Sequence, residues 1–302
     1  MTGFDIHISA GGYEATVSTF GAALRSLRLS GREFLDSFEK PEENPVARGQ
    51  ILVPFPNRVE DGRYSFGGEE LHLPLDEPEE GHAIHGLARR KGWRVSDRSE
   101  SSVALRYELL PSRGYPFSLD LRIWYELSPS GLFVGMAATN TGGGPLPFGA
   151  GYHPYFTVDT EFADEAVLRV PAESRLELDE RLIPRGRASV EGGGLDFREE
   201  RVIGEAKINA CFTDLSFDGD GRTRTTLSHP HGRPKVEVWA DGEHPYFQIY
   251  TGDDIPEESE RRRSVAIEPM TCAPNAFNSG DGLRVLRPEE SFVGEWGITI
   301  TP

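Results

Sequence analysis

A single large antiparallel β-sandwich is the fold class this sequence predicts, on three observations. Apolar residues alternate with polar ones in separate stretches along the chain, the period of a strand with one buried face. Glycine-rich turns stand between those stretches, and 34 glycines and 22 prolines leave little room for long helices. No Pro- or Ser-rich linker, internal repeat or low-complexity tract divides the 302 residues. One all-β domain over residues 1–302 is therefore expected, a size that sandwiches reach as single units.

The elements follow in order. Alternation predicts strands in Tyr13 to Phe20, Ser102 to Leu110, Ser118 to Leu127, Gly131 to Asn140 and Lys235 to Ala240. Turns are expected at Gly11-Gly12, Gly67-Gly68, Gly142 to Gly144 and Gly192 to Gly194. The one helical stretch the pattern suggests is short, around Glu199 to Asn209. Glu77 to Glu80, and Asp253 to Glu260 followed by Arg261 to Arg263, read as solvated loops.

Composition excludes several function classes. A net charge of −17 opposes non-specific binding to nucleic acid or an anionic bilayer, which needs clustered Lys and Arg. No apolar run is long enough for a transmembrane helix, and the N-terminus lacks the basic start and apolar block of a signal peptide. A cytoplasmic protein is the expectation. Cys211 and Cys272 form no Cys-x-x-Cys pair and read as buried free thiols. The sequence shows no Gly-x-Ser-x-Gly elbow, His-Glu-x-x-His helix, P-loop or dinucleotide fingerprint. His229 and His231 form a His-x-His pair, but in a turn-like segment with no further ligand nearby.

Four segments set reactive groups among Gly, Pro and aromatics. Val53 to Pro74 presents Asn57 and Arg58 at a proline-bracketed corner, and Arg58 offers a planar fork of donors. His82 to Trp93 contains His85 followed by Gly86, where the backbone can come close to another group. Pro147 to Phe156 crowds His153 with Tyr152, Tyr155 and Phe156, which favours its neutral form. In Ser264 to Phe292, Glu268 follows the apolar run Val265-Ala266-Ile267, a costly place for a carboxylate without partners. Asp214 and Gln248 are lesser candidates in aromatic strands. Histidines, one carboxylate and hydroxyl-binding groups suit metal-free acid/base chemistry on a polyhydroxylated substrate.

These segments carry a resemblance over nearly the whole chain. The run AIEPMTCAPNAFNSGDGL (Ala266 to Leu283), with GYHPYF, PFPNRV, QIYTG and HGLARRKGW, resembles the aldose 1-epimerases, or galactose mutarotases, in their bacterial branch. The resemblance implies a galactose mutarotase-like supersandwich with a sugar cleft on one curved sheet, working without a cofactor. It implies Glu268 as catalytic base, His153 as catalytic acid and His85 assisting at the ring oxygen. Arg58, Asp214 and Gln248 would hold sugar hydroxyls, with Asn57 beside Arg58; Asp218 and Asp220 compete with Asp214 for its place. The expected reaction interconverts the α and β anomers of a free aldose.

Arg89, Arg90 and Lys91, just after His85, would suit a phosphorylated or otherwise anionic sugar, although the C-terminal motif favours the free-sugar branch. A non-catalytic carbohydrate-binding protein need not keep Glu268 and both histidines together. A glycosidase would need a second opposed carboxylate, which the sequence does not offer. The expected partner is a small sugar, and neither nucleic acid nor membrane. Monomer and homodimer both stay open.

Overall fold

The computed structural model describes residues 3–38, 44, 46–77 and 79–302. Each of the five predicted strands forms: Tyr13–Ser18, Ser102–Leu109, Leu119–Ser128, Gly131–Asn140 and Lys235–Ala240. Alternation becomes burial directly. Along Leu119–Ser128 the side chains of Leu119, Leu121, Ile123, Tyr125 and Leu127 are buried and those between them are more exposed.

Two large antiparallel sheets make the body. The first, of nine strands, runs Arg94–Arg98, Ser102–Leu109, Leu119–Ser128, Gly131–Asn140, Ser291–Thr301, Lys235–Ala240, Thr223–Ser228, Val167–Arg169, Arg201–Val202. The C-terminal strand Ser291–Thr301 joins its two halves, pairing with Gly131–Asn140 on one side and Lys235–Ala240 on the other. The second sheet, of eight strands, runs Pro184–Ser189, Ala172–Leu178, Asn209–Leu215, Tyr246–Tyr250, Val265–Met270, Gly151–Tyr152, Ile51–Leu52, with Tyr155–Phe156 also paired to Val265–Met270. One apolar core takes side chains from both, including Tyr125, Trp296, Val134, Tyr152, Phe212 and Phe247. A four-stranded N-terminal sheet, Asp5–Ala10, Tyr13–Ser18, Leu24–Leu29 and Arg32–Glu33, feeds the same core through Ile6, Ile8, Val17 and Leu27.

The expected helix at Glu199 to Asn209 does not form. Arg201–Val202 pairs with Val167 and Leu168 instead. Gly204 then turns the chain with φ +59°, and the Arg262 guanidinium donates to the carbonyls of Gly204 and Ala206 at 2.9 and 3.2 Å. Extended pairing at Arg201–Val202 and the left-handed Gly204 leave no continuous helical backbone in this segment. Among the described residues the only α-helix is the single turn Ala276–Ser279. No helix is long and apolar enough to cross a membrane.

Candidate active site

Strand register sets the floor of the site. Gln248 lies directly opposite Glu268, and Cys211 directly opposite Gln248. Directly opposed residues, and residues two apart on one strand, share a face. Asn209, Gln248 and Glu268 therefore point to the same side of the second sheet, and Gln248 Nε2 donates to Asn209 Oδ1 at 2.7 Å.

His153 reaches this face through an interrupted edge. The segment Gly151 to Phe156 pairs with the Glu268 strand at Gly151, opposite Met270, and again at Tyr155 and Phe156, opposite Ala266 and Val265. Between those pairings the Pro154 carbonyl still accepts the Ile267 N–H at 3.2 Å, while His153 turns to the neighbouring segment and donates its backbone N–H to the Gln50 carbonyl at 3.1 Å. Its Nε2 lies 3.5 Å from Glu268 Oε1, and the Tyr155 ring stacks on it with centroids 5.0 Å apart and planes at 6°.

The opposite wall comes from two chain corners held together. Arg58 pairs with Ile84, and the His85 N–H donates to the Asn57 carbonyl at 2.9 Å. Gly86 must be glycine here: its φ is +74°, and a Cβ would stand 2.2 Å from the Val53 carbonyl oxygen. This close approach seats His85 itself at φ +61°, strained for a side-chain-bearing residue. The His85 ring meets His153 edge-on at 5.1 Å. The C-terminal motif braces the corner from below, since the Asn275 N–H donates to the Arg58 carbonyl at 2.7 Å and Phe277 packs on Phe55 and Tyr64.

Together these groups line a cavity of about 230 Å³. That is below the roughly 300–1,000 Å³ of drug-sized sites, and suits one small polar molecule. Its charges are mostly paired: Glu77 receives Arg58 through both oxygens at 2.6 and 2.7 Å, and Asp76 receives Arg89 Nη2 at 2.7 Å. The Glu268 carboxyl is 2% exposed, its Oε2 has no hydrogen-bond partner among the described residues, and burial pushes its pKa well up against the opposing pull of Arg58. Burial pulls His153 down to about 3, with the Arg89 and Arg48 charges adding to the effect. His85 is also held well below its ordinary range, by burial and then by His153, Arg89 and Arg58. Burial thus disfavours the charged form of both neighbours, raising the carboxyl and lowering the imidazole. Such a pair can take one proton and give another in a single event.

Six of the seven residues singled out in the sequence meet at this cavity: Asn57, Arg58, His85, His153, Gln248 and Glu268. Asp214 does not. It is exposed, has φ +54°, and its carboxylate is bound by Arg187 Nη1 at 2.8 and 3.1 Å. Asp218 and Asp220 are exposed partners of Arg224 and do not line the cavity either. The lining residue of that strand is Asn209, overlooked in the sequence although residues 209, 211 and 213 share a parity that 214 lacks. The acidic segments read as solvated loops also contribute, because Glu77 and Asp254 line the cavity. His82 is structural: its Nδ1 accepts the Asp61 N–H at 3.1 Å, and its Nε2 lies 3.1 Å from the Arg181 carbonyl. Cys211 and Cys272 are buried free thiols. Among the described residues no three His, Cys, Asp or Glu side chains gather as a metal site.

Residues 5–299 match the family model described as aldose 1-epimerase. The chain belongs to the aldose 1-epimerase family. As a member it is an isomerase of mutarotase type. It is 35% identical over 301 residues to the uncharacterized protein YihR of Escherichia coli K12, covering 98% of this chain and 94% of that one. It is 27% identical over 164 residues to the galactose mutarotase of Rattus norvegicus, covering 52% of this chain and 47% of that enzyme. The crystal structure of a GalM/aldose epimerase homologue from C. elegans superposes with a TM-score of 0.88 at 19% identity, covering 99% of each chain. At that identity the likeness speaks for the fold, and it agrees with the sandwich described above.

Proposed function

We propose that this epimerase interconverts the α and β anomers of a free aldose by general acid/base opening and closing of the pyranose ring. The observation that carries the proposal is the Glu268–His153 pair: 3.5 Å apart, buried, shifted in opposite directions and facing a cavity of monosaccharide scale.

Ring opening removes a proton from the C1 hydroxyl and delivers one to the ring oxygen. Opening proceeds from the tautomer of the pair in which His153 carries the proton: Glu268 takes the first, and His153 gives the second. The sugar is then an open-chain aldehyde, and the pair has become carboxylic acid and neutral imidazole. After rotation about C1–C2, the same two transfers in reverse close the ring on the other face of the carbonyl. The pair holds one proton at the start, in the middle and at the end. Desolvation favours the neutral arrangement, which is the one that accompanies the open chain, and so eases the opening step. His85, edge-on to His153, steadies the imidazole at the ring-oxygen side. Asn57, Arg58, Gln248 and Asn209 hold hydroxyls. Arg58 and Gln248 enter that task already anchored by Glu77 and Asn209, so little orientation is lost on binding. No step calls for a cofactor.

The test is anomer exchange measured by saturation-transfer NMR on aldoses at equilibrium. Exchange above the spontaneous rate for at least one sugar is expected; binding without any acceleration would leave a carbohydrate-binding protein and end the enzymatic reading.

A further inference from the structure

A histidine that hands over a proton must keep its ring in one plane, and His153 has few polar contacts with which to do so. Its Nε2 faces Glu268, and its Nδ1 is buried and bonds to no other residue among those described. A bond at the second ring nitrogen is the usual device that orients an imidazole. Here the Tyr155 ring stands in for it. That ring lies parallel to the imidazole, with planes at 6° and centroids 5.0 Å apart, whereas the His85 ring only meets it edge-on. Tyr155 is 2% exposed, and its hydroxyl has no hydrogen-bond partner among the described residues. The ring is therefore held through its faces and edges.

Arg48 stands against it, with the guanidinium carbon 5.4 Å from the ring centre. Arg48 is itself fixed on several sides. Its Nε donates to Asp36 at 2.8 Å and its Nη2 to Glu260 at 2.7 Å, and Asp36 also accepts from Ser264 Oγ at 2.9 Å. The Asn44 side chain bonds the Arg48 N–H and carbonyl at 2.9 and 2.8 Å. The next two residues grip the backbone of His153: the Gly49 N–H donates to the His153 carbonyl at 2.7 Å, and the Gln50 carbonyl accepts the His153 N–H. Gly49 has φ +67°, and a Cβ there would stand 2.0 Å from the Leu24 carbonyl oxygen, so the segment has one path past the N-terminal sheet. Arg48 to Gln50 thus hold His153 twice, by its main chain directly and by its imidazole through Tyr155. Arg48, Asp36 and Glu260 do not line the cavity, so this ion-pair cluster has no direct contact to offer a sugar.

We infer that Tyr155 and Arg48 are positioning residues for the catalytic acid: Arg48 fixes the Tyr155 ring, and that ring fixes the imidazole of His153 against Glu268. The inference rests on the proposed ring-opening reaction, in which His153 gives the proton to the ring oxygen. The second side-chain torsion of a histidine is broad and soft. A parallel ring on its face stops that rotation and keeps Nε2 on the cavity side. Misplacing a catalytic group by about 1 Å can cost about 10²-fold in rate. The aromatic face also accommodates the imidazolium that donates the proton, whereas an aliphatic side chain would not. Nothing in this role uses the Tyr155 hydroxyl.

The experiment measures anomer exchange in the wild type, Tyr155→Leu, Tyr155→Phe, Arg48→Lys and the double variant Tyr155→Leu/Arg48→Lys, with each rate divided by the binding-competent fraction from calorimetric sugar titration. Tyr155→Leu should lower kcat by about 10- to 10²-fold with KM little changed. Tyr155→Phe keeps the ring and loses only the unpartnered hydroxyl, so it should recover most of that loss. Arg48→Lys keeps the charge but not the fork that spans Asp36 and Glu260, and should lower kcat by less. In the double variant it should add nothing further, because Arg48 acts through the ring. The inference is overturned if Tyr155→Phe falls as far as Tyr155→Leu, if Tyr155→Leu raises KM and spares kcat, or if the two losses multiply. If the wild type exchanges no sugar, the ring-opening reaction fails, and NMR of protein labelled at histidine Cε1 still decides the stack. The His153 signal, identified by its loss in His153→Asn, should carry the upfield shift of a ring lying under Tyr155. That shift should persist in Tyr155→Phe, vanish in Tyr155→Leu and diminish in Arg48→Lys; a signal unmoved in Tyr155→Leu or in Arg48→Lys refutes the inference.

Discussion

Replacing Glu268 with Gln separates proton transfer from binding more sharply than any other change to this cavity. The amide keeps the size of the carboxyl and can still hydrogen-bond, but it cannot accept the C1 proton. A general base contributes about 10²–10⁴-fold, or roughly 3–5 kcal/mol at 1.36 kcal/mol per decade. Because Glu268 and His153 stand 3.5 Å apart and share one proton, losing the carboxylate disables both halves of the exchange. The expected loss in kcat is therefore at least about 10²-fold. Adding His153→Asn should cost less than about 10-fold more, since groups acting as a unit are not additive. Sugar affinity by calorimetry should change little. Stability should move the other way. Glu268 Oε2 is buried without a partner among the described residues, and its folded pKa is raised. The folded wild type therefore retains a proton that the unfolded chain loses above the ordinary glutamate value of about 4.3, and its stability falls as pH rises toward the folded value. Glu268→Gln has no such dependence, so its Tm should equal or exceed that of the wild type, with the gap widening as pH rises from 5 to 8. Anomer exchange at the wild-type rate in Glu268→Gln would remove Glu268 from the mechanism. A loss of affinity in parallel with rate would mean that it binds rather than catalyses.

The pH profile of kcat/KM should show a broad plateau through neutrality. Its acid limb should lie below the ordinary histidine value of about 6.5, because His153 is pulled down to about 3, and its alkaline limb should follow the raised Glu268. A single limb centred near 6.5 would show a histidine titrating on its own in solvent. Asn209→Ala should raise KM, having removed a cavity amide and the anchor of Gln248, whereas Asp214→Ala should leave both kcat and KM within about 2-fold, consistent with its exposed pairing to Arg187. Steady-state kinetics on the two variants would invert the assignment if their effects were exchanged. Dialysis against a chelator should leave anomer exchange unchanged; activity lost and then restored by zinc or calcium would reveal a ligand set that the described residues do not suggest.

Much of this protein is legible in one dimension because a strand buries alternate residues. The five alternating runs are strands, and the motifs that crowd His153 with aromatics or set Glu268 in an apolar run already signal desolvation, which depends on near neighbours. The fate of Glu199 to Asn209 was not legible, since Arg201–Val202 is drawn into strand pairing with Val167 and Leu168, more than thirty positions earlier. The choice between Asn209 and Asp214 turned on cross-strand register: pairing Cys211 with Gln248 puts position 209 on the cavity face, and the left-handed backbone at 214 turns its carboxylate out to Arg187. Charge balance was equally a tertiary matter. Glu77 and Asp76 became partners of Arg58 and Arg89 only when two loops closed over the sheet, and that closure left Arg90 without an acidic partner among the described residues. Local sequence determines which side chains a strand can bury. Long-range pairing, where the backbone hydrogen bonds and the core are completed, decides which of them meet.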